Sequence, residues 1–162
     1  MNTRLLSFMM VLCLMPTATR SSVEGFKMRT VVSKKEIISE IKKEAKALGL
    51  DPRLALAVAR VESHLNPDAI RADKKSYSVG VYQLMLPTAK DLGFNGGIEE
   101  LKDYKTNIRL GISYLKKCEE KYESVERVAC CYNAGLYAED SVCESKGVSF
   151  YQSKVLKKLN RI

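Results

Sequence analysis

Residues 51–64, DPRLALAVARVESH, decide how this chain folds. Asp51 is a good helix cap, and Pro52 suits the first helical position, where a missing N–H costs nothing. From Leu54 onward the segment is apolar almost all round until Arg60 and Glu62. A helix without a continuous polar face has to be surrounded by other elements. The segment therefore reads as the buried central helix, closed by Asn66-Pro67.

The flanking chain is helical as well. Ser33 and Glu36 form a capping box, Ile37, Ile38, Ile41, Ala45 and Leu48 make one apolar face, and Gly49 stops the helix. Residues 87–92 predict a short helix closed by Gly93. Residues 104–118 predict a longer one with Ile108, Ile112 and Leu115 on one side. Ser124 caps a helix that runs to Asn133 and ends at Ala134-Gly135. A last helix, 150–159, is rich in Lys on its outer face and docks through Tyr151, Val155 and Leu159. Residues 68–86 lack helical period and carry polar residues and Gly, as a long loop or a small irregular sheet does. No strand of convincing length and no repeat appears. The expectation is a single all-α domain over residues 33–162.

A chain of 162 residues holds one compact domain, and 46% apolar with 28% charged residues is the composition of a folded protein. One His and no Trp argue against His-rich zinc ligation and against a His-based triad unless His64 supplies it alone. Neither a metal nor a cofactor is expected. No apolar run reaches the roughly 18 residues of a membrane span. At the start, Arg4 precedes the apolar run Leu5–Met15 (LLSFMMVLCLM) and the small, turn-prone stretch Pro16 to Thr19. That pattern predicts a signal peptide over residues 1–20, cut between Ala18 and Ser22, with 21–32 as a flexible lead. The protein is thus expected to be exported, to the periplasm or beyond, with no stable membrane insertion after signal removal.

Export changes how the cysteines read. Cys118, Cys130, Cys131 and Cys143 remain, and an oxidising compartment favours disulfides among them. Four cysteines allow three pairings. Cys130 and Cys131 are neighbours on a predicted helix and point in different directions, so at least one bridge should tie the Cys118 helix to the 130–143 region. The spacing is neither a zinc ribbon nor a redox C-x-x-C. The formal net charge of +8 suits an acidic polymer or an anionic surface. The cations are spread along the chain and not interleaved with aromatics, so nucleic acid is not an expected partner.

Glu62 is the chemically odd residue of the central helix. It is either a solvated carboxylate beside Arg60, or a carboxyl desolvated by apolar neighbours and so able to hold a proton near neutral pH. His64, two residues on, lies on a different face and reads as a structural or surface residue. Gly80-Val81-Tyr82-Gln83-Leu84-Met85 combines a glycine suited to a tight turn with an amide that can bond a sugar. At Tyr132-Asn133-Ala134-Gly135, the tyrosine is either core or a partner for a carboxyl. Asn133 either ends a helix or orients an acetamido group.

Taken in order, E-S at 62–63, G-V-Y-Q-L-M-L-P-T-A at 80–89, N-I-R-L-G-I-S-Y-L at 107–115 and Y-N-A-G at 132–135 resemble the soluble lytic transglycosylase domain, whose fold goose-type lysozymes share. The resemblance runs from about Leu50 to Gly135 and more loosely to the final helix. It implies a lysozyme-like helical domain with a cleft for peptidoglycan glycan strands. By the same resemblance Glu62 is the single catalytic acid and base, and Ser63 is its usual neighbour. Gly80, Tyr82 and Gln83 line the substrate cleft. Tyr132 places its hydroxyl near the carboxyl, and Asn133 meets the substrate. The block holding Asn107, Ile108, Gly111, Tyr114 and Leu115 reads as helix packing. Pro87 stands one position from the usual place in such domains, and Cys131 replaces a frequent Ala. Neither departure removes a side chain the chemistry needs.

The implied reaction cleaves the bond from N-acetylmuramic acid to N-acetylglucosamine and closes a 1,6-anhydro ring, which needs one carboxyl group in place of the usual pair. A hydrolase of the same fold is the nearest alternative, with Asp68, Asp73 or Asp91 placing a water. A non-catalytic peptidoglycan-binding or assembly protein is another, and a membrane-surface binder using the basic last helix is a third. Domains of this kind serve secretion or conjugation machines, wall turnover or phages, and the sequence leaves that role open.

Overall fold

The computed structural model describes residues 31–73 and 76–162. The expected signal peptide lies outside the described residues, as does the lead up to residue 30.

Helix α1 (Lys34–Ala47) starts on the Ser33–Glu36 capping box, in which the Ser33 N–H donates to the Glu36 carboxylate at 2.8 Å. Helix α2 (Pro52–Ser63) is capped by Asp51, whose Oδ1 accepts from the Arg53 N–H at 2.8 Å. Every residue from Leu54 to Ala59 is buried. The central helix of the sequence pattern is thus central in space, packed against α1 and the last helix. It ends at Ser63, three residues before Asn66-Pro67. His64 and Leu65 adopt left-handed backbone (φ 56° and 64°), and the Ser63 hydroxyl accepts the Asn66 N–H at 3.1 Å. Left-handed backbone costs a non-glycine residue about 1–2 kcal/mol. Burial of the Leu65 side chain helps offset that cost.

The aperiodic stretch forms a three-stranded antiparallel sheet: β1 (Ile70–Asp73), β2 (Ser76–Val79) and β3 (Leu84–Met85), in that order. Ile70 pairs with Val79, Arg71 with Ser78, and Val79 on its other side with Leu84. The helices that follow are α3 (Leu86–Asp91), α4 (Ile98–Leu101), α5 (Tyr104–Lys121), α6 (Val125–Ala134), α7 (Asp140–Cys143) and α8 (Lys146–Leu159). Helices α4 and α7 are single turns, too short to show a period. α8 begins four residues before the expected start at Phe150, because its first turn holds Gly147 and polar residues that leave no apolar stripe.

Cys118–Cys131 joins α5 to α6, and Cys130–Cys143 joins α6 to α7. The neighbouring cysteines of α6 therefore serve two opposite partners. Each bridge closes a 13-residue separation.

The tightest joint of the fold is the turn at residues 79–83. Gly80 has φ 77°, and a Cβ there would sit 2.5 Å from the Asn107 side chain. The Asn107 amide is completely buried. Its Nδ2 donates to the Val79 carbonyl at 2.9 Å and the Leu101 carbonyl at 3.2 Å, and its Oδ1 accepts the Tyr82 N–H at 2.9 Å. A buried backbone group left without a partner costs about 1–3 kcal/mol. Asn107→Ala should therefore lose about 3 kcal/mol or more in urea unfolding, far beyond an exposed Asn→Ala control. Paired replacement of Cys118 and Cys131 by Ser should cost about 3 kcal/mol in the same assay, from the loop-closure entropy of the unfolded chain.

Candidate active site

A cleft of about 500 Å³ opens between the sheet and the C-terminal end of α6, with Glu62 in its wall. Glu62 occupies the last turn of α2 and is partly buried. Tyr151, on α8, donates its hydroxyl to Glu62 Oε1 at 2.7 Å. Arg71 of β1 lines the same cleft and donates to the Glu62 backbone carbonyl at 3.2 Å, which holds a positive charge beside the carboxyl. Burial raises the Glu62 carboxyl above the usual carboxylate range, while the Tyr151 hydrogen bond and the Arg71 charge pull it partway back. The Tyr151 phenol is pushed well above its ordinary value, by burial first and then by the adjacent Glu62. It therefore stays protonated and remains a donor.

The four sequence blocks meet at one place, which is the turn beneath the cleft. The Ser63 hydroxyl donates to the Val81 carbonyl at 2.8 Å. The Tyr132 hydroxyl donates to the Tyr82 carbonyl at 2.8 Å. Gln83 Nε2 donates to the Gly80 and Ala69 carbonyls at 3.0 and 3.1 Å, and its Oε1 accepts from the Ser78 hydroxyl at 3.1 Å. With Asn107 on Val79, each carbonyl from 79 to 82 is held by a side chain from a motif block. Gln83 is itself left-handed, at φ 47°.

This geometry redistributes the expected site residues. Gln83, Tyr132 and Asn133 line the cleft with Glu62. Ser63, Gly80 and Tyr82 do not; they form the frame behind the wall. Tyr82 is fully buried, and its hydroxyl donates to the Ala55 carbonyl in the middle of α2 at 2.9 Å, so it cannot meet a ligand. Its ring lies against Gly111 of α5, where a Cβ would collide with it. The hydroxyl on the Glu62 carboxyl comes from Tyr151, read from sequence only as a docking residue, while the Tyr132 hydroxyl is committed to Tyr82. A tyrosine on an amphipathic helix, 89 residues from its partner, gives no local sign of that contact. Arg71, Tyr77, Thr88 and Tyr114 also line the cleft. The first two lie in the stretch without period, where side-chain direction could not be read. Neither Asp68 nor Asp91 lines the cleft, and Glu62 is the one carboxyl among its described lining residues. Among the described residues no group of three or more His, Cys, Asp or Glu is placed to hold a metal, and no helix is long and apolar enough to cross a membrane.

Because Glu62 holds its proton more tightly folded than unfolded, the native state binds more protons between the two pKa values. Stability therefore falls as pH rises through that interval. Glu62→Gln should melt at a higher temperature than the parent near neutral pH. The difference should vanish below the ordinary glutamate value of about 4.3. An equal melting temperature at neutral pH would show that the carboxyl is not desolvated.

The same architecture occurs in solved proteins. The chain is similar to lytic transglycosylase Slt from Pseudomonas aeruginosa, solved as an inactive Glu-to-Gln mutant, with TM-score 0.64 and 25% identity over 75% of this chain and 23% of that one. The 70-kDa soluble lytic transglycosylase of Escherichia coli shares the fold at TM-score 0.63 and 22% identity, again over 75% and 23%. In sequence, 84 residues are 38% identical to the endo-type membrane-bound lytic murein transglycosylase A of Enterobacter sp. (strain 638), 48% of this chain and 40% of that relative. The chain thus spans less than half the length of these relatives. The family model for the Transglycosylase SLT domain matches residues 39–149, which include Glu62, the turn at 79–83, Asn107 and Tyr132, and the chain belongs to that family.

Proposed function

We propose that the protein is a peptidoglycan lytic transglycosylase that cleaves the β-1,4 bond from N-acetylmuramic acid to N-acetylglucosamine, with Glu62 as its single acid and base. The observation that carries this reading is a lone, desolvated carboxyl in the cleft wall, held by a protonated phenol. A glycosidase that uses two carboxyls needs a second one flanking the bond. One carboxyl is enough when the substrate supplies the rest.

In the proposed reaction the Glu62 carboxylic acid gives its proton to the glycosidic oxygen as that bond breaks. The sugar's acetamido oxygen shares the positive charge at the anomeric carbon. Tyr151 steadies the carboxylate that has formed, through a charge-assisted hydrogen bond. That carboxylate then takes the proton from the C6 hydroxyl, whose oxygen bonds the anomeric carbon and closes the 1,6-anhydro ring. Attack from within the same sugar has the entropic advantage of an intramolecular step. Arg71 brings positive charge to a cleft whose substrate carries stem-peptide carboxylates. Gln83 and Asn133 offer amides from the wall, while Ser63, Gly80 and Tyr82 act by holding that wall in place. Export to the periplasm or beyond fits such a substrate, as do the two disulfides. Service to a secretion, conjugation or phage machine is compatible with this chemistry and is not specified by it.

Digests of purified peptidoglycan, resolved by mass spectrometry, test the reading. Anhydro-muropeptides should appear, and Glu62→Gln should lower their release by about a hundredfold or more, the usual scale for losing a general acid. Reducing-end products in their place would make the protein a hydrolase. No release by the folded, oxidised protein would favour a binding role. Tyr151→Phe removes a bond that lowers the Glu62 pKa, so the fall in rate at high pH should move to still higher pH in that variant.

A further inference from the structure

A second concavity, a groove of about 280 Å³ between α2 and α8, shares no lining residue with the cleft. Arg60 and His64 line it from the end of α2, and Lys154, Lys157, Lys158 and Arg161 from α8 and the turn after it. No carboxylate is among its lining residues. No ion pair involves Arg60, Lys154, Lys157, Lys158 or Arg161 among the described residues. Lys43, Lys102 and Lys116 each pair with a glutamate, whereas the groove gathers its cations with no carboxylate on its lining. Gathering five unpaired cations around one groove is unfavourable unless an anion joins them.

A second feature says which kind of anion. Phe150, on the same helix, is 59% exposed, and the Lys154 ammonium lies 4.2 Å from the centre of its ring. At about 100° per residue, Phe150, Lys154 and Lys157 fall within about 60° of one another on α8. An exposed aromatic ring in line with a basic stripe is the composition of a surface that rests on a charged lipid interface, where the ring enters the headgroup layer and the cations meet phosphates. A soluble polyanion would engage the cations and leave the ring without a role.

We propose that the α2–α8 groove, with Phe150, is a docking surface for the anionic phospholipid face of a membrane. The lipid phosphates enter between the cations of the two helices, and the Phe150 ring sits at headgroup depth. Contact is peripheral and reversible. Arg60 is two residues from Glu62 on α2, about 200° round the helix. Docking therefore leaves the cleft facing away from the lipid. If the reading of Glu62 given above holds, that orientation presents the cleft to a polymer lying outside the membrane. The binding itself does not depend on that reading.

Co-sedimentation of the purified protein with phosphatidylcholine vesicles, with and without phosphatidylglycerol, provides the test. The protein should pellet with the phosphatidylglycerol vesicles alone, and molar salt should release it. Neutralising three cations, in Lys154→Gln/Lys157→Gln/Arg161→Gln, should weaken partition by about a hundredfold, at the usual contribution of each surface cation. Phe150→Ala should weaken it severalfold without changing the salt dependence. As a charge-matched control, Lys42→Gln/Lys43→Gln/Lys46→Gln on α1 should bind as the parent does. Melting temperatures of all variants establish that they are folded, and peptidoglycan release by the groove variants should equal that of the parent. Equal loss in the α1 control would reduce the effect to net charge and overturn the proposal. So would full competition by millimolar inorganic phosphate, which would make the groove a site for a soluble phosphate. Absence of binding to either vesicle would overturn it as well, and peptidoglycan release would still report on Glu62 separately.

Discussion

A single buried amide, that of Asn107, sets the geometry on which the rest depends. It lies on α5 yet hydrogen-bonds both ends of the turn at residues 79–82, at 2.9 Å to Val79 and to Tyr82, and also the Leu101 carbonyl of α4 at 3.2 Å. Inside a core such bonds are strong and their absence is costly, so the turn has one arrangement and not several. Gly80 admits the amide because it has no side chain, and Gly111 admits the Tyr82 ring for the same reason. Around this joint the Gln83 amide and the Ser63 and Tyr132 hydroxyls close the remaining carbonyls. The last turn of α2, the sheet and the end of α6 are thereby fixed relative to one another, and those elements carry Glu62, Arg71 and Asn133.

The residues that look most like substrate contacts in the sequence are largely those that make this joint. Polar side chains concentrated in short blocks suggest a binding surface, but polar groups are also what a buried, irregular backbone demands. Four carbonyls in a turn of this kind need donors, and side chains supply them from α2, α5 and α6 as well as from Gln83. The cleft wall stays rigid because its frame is satisfied. Rigidity of that kind lets one carboxyl sit desolvated at a constant position.

Glu62 shows the opposing requirement. Burial disfavours its charge, and a fully apolar setting would leave the carboxylate without support once its proton had gone. The Tyr151 hydroxyl and the Arg71 guanidinium moderate the effect, one through a direct bond and the other through charge. The carboxyl is thus raised less far than burial alone would take it. Helix α8 contributes twice: Tyr151 reaches the Glu62 carboxyl, while Lys154, Lys157 and Lys158 line the groove it forms with α2.

What the sequence by itself determined is the helical frame and the carboxyl at its centre. Leu54 to Ala59 leave α2 no exposed face, the Ser33, Asp51 and Ser124 caps mark where helices begin, and Glu62 stands out because a charge ends an apolar run. These are local properties, set by the period of the chain and the orphan donors of a helix end. Tertiary structure alone decided the partners. The short strands of residues 70–85 form because the turn is held from outside, not because they alternate, and α4 and α7 are single turns fastened by their neighbours. Tyr151 and Tyr132 are both tyrosines on helices with apolar faces; only the packing of α8 against α2 sends one hydroxyl to Glu62, while the other closes the Tyr82 carbonyl. A side chain's chemistry is written in its residue type, but the atom it meets depends on how distant elements pack, and sequence spacing does not encode that distance.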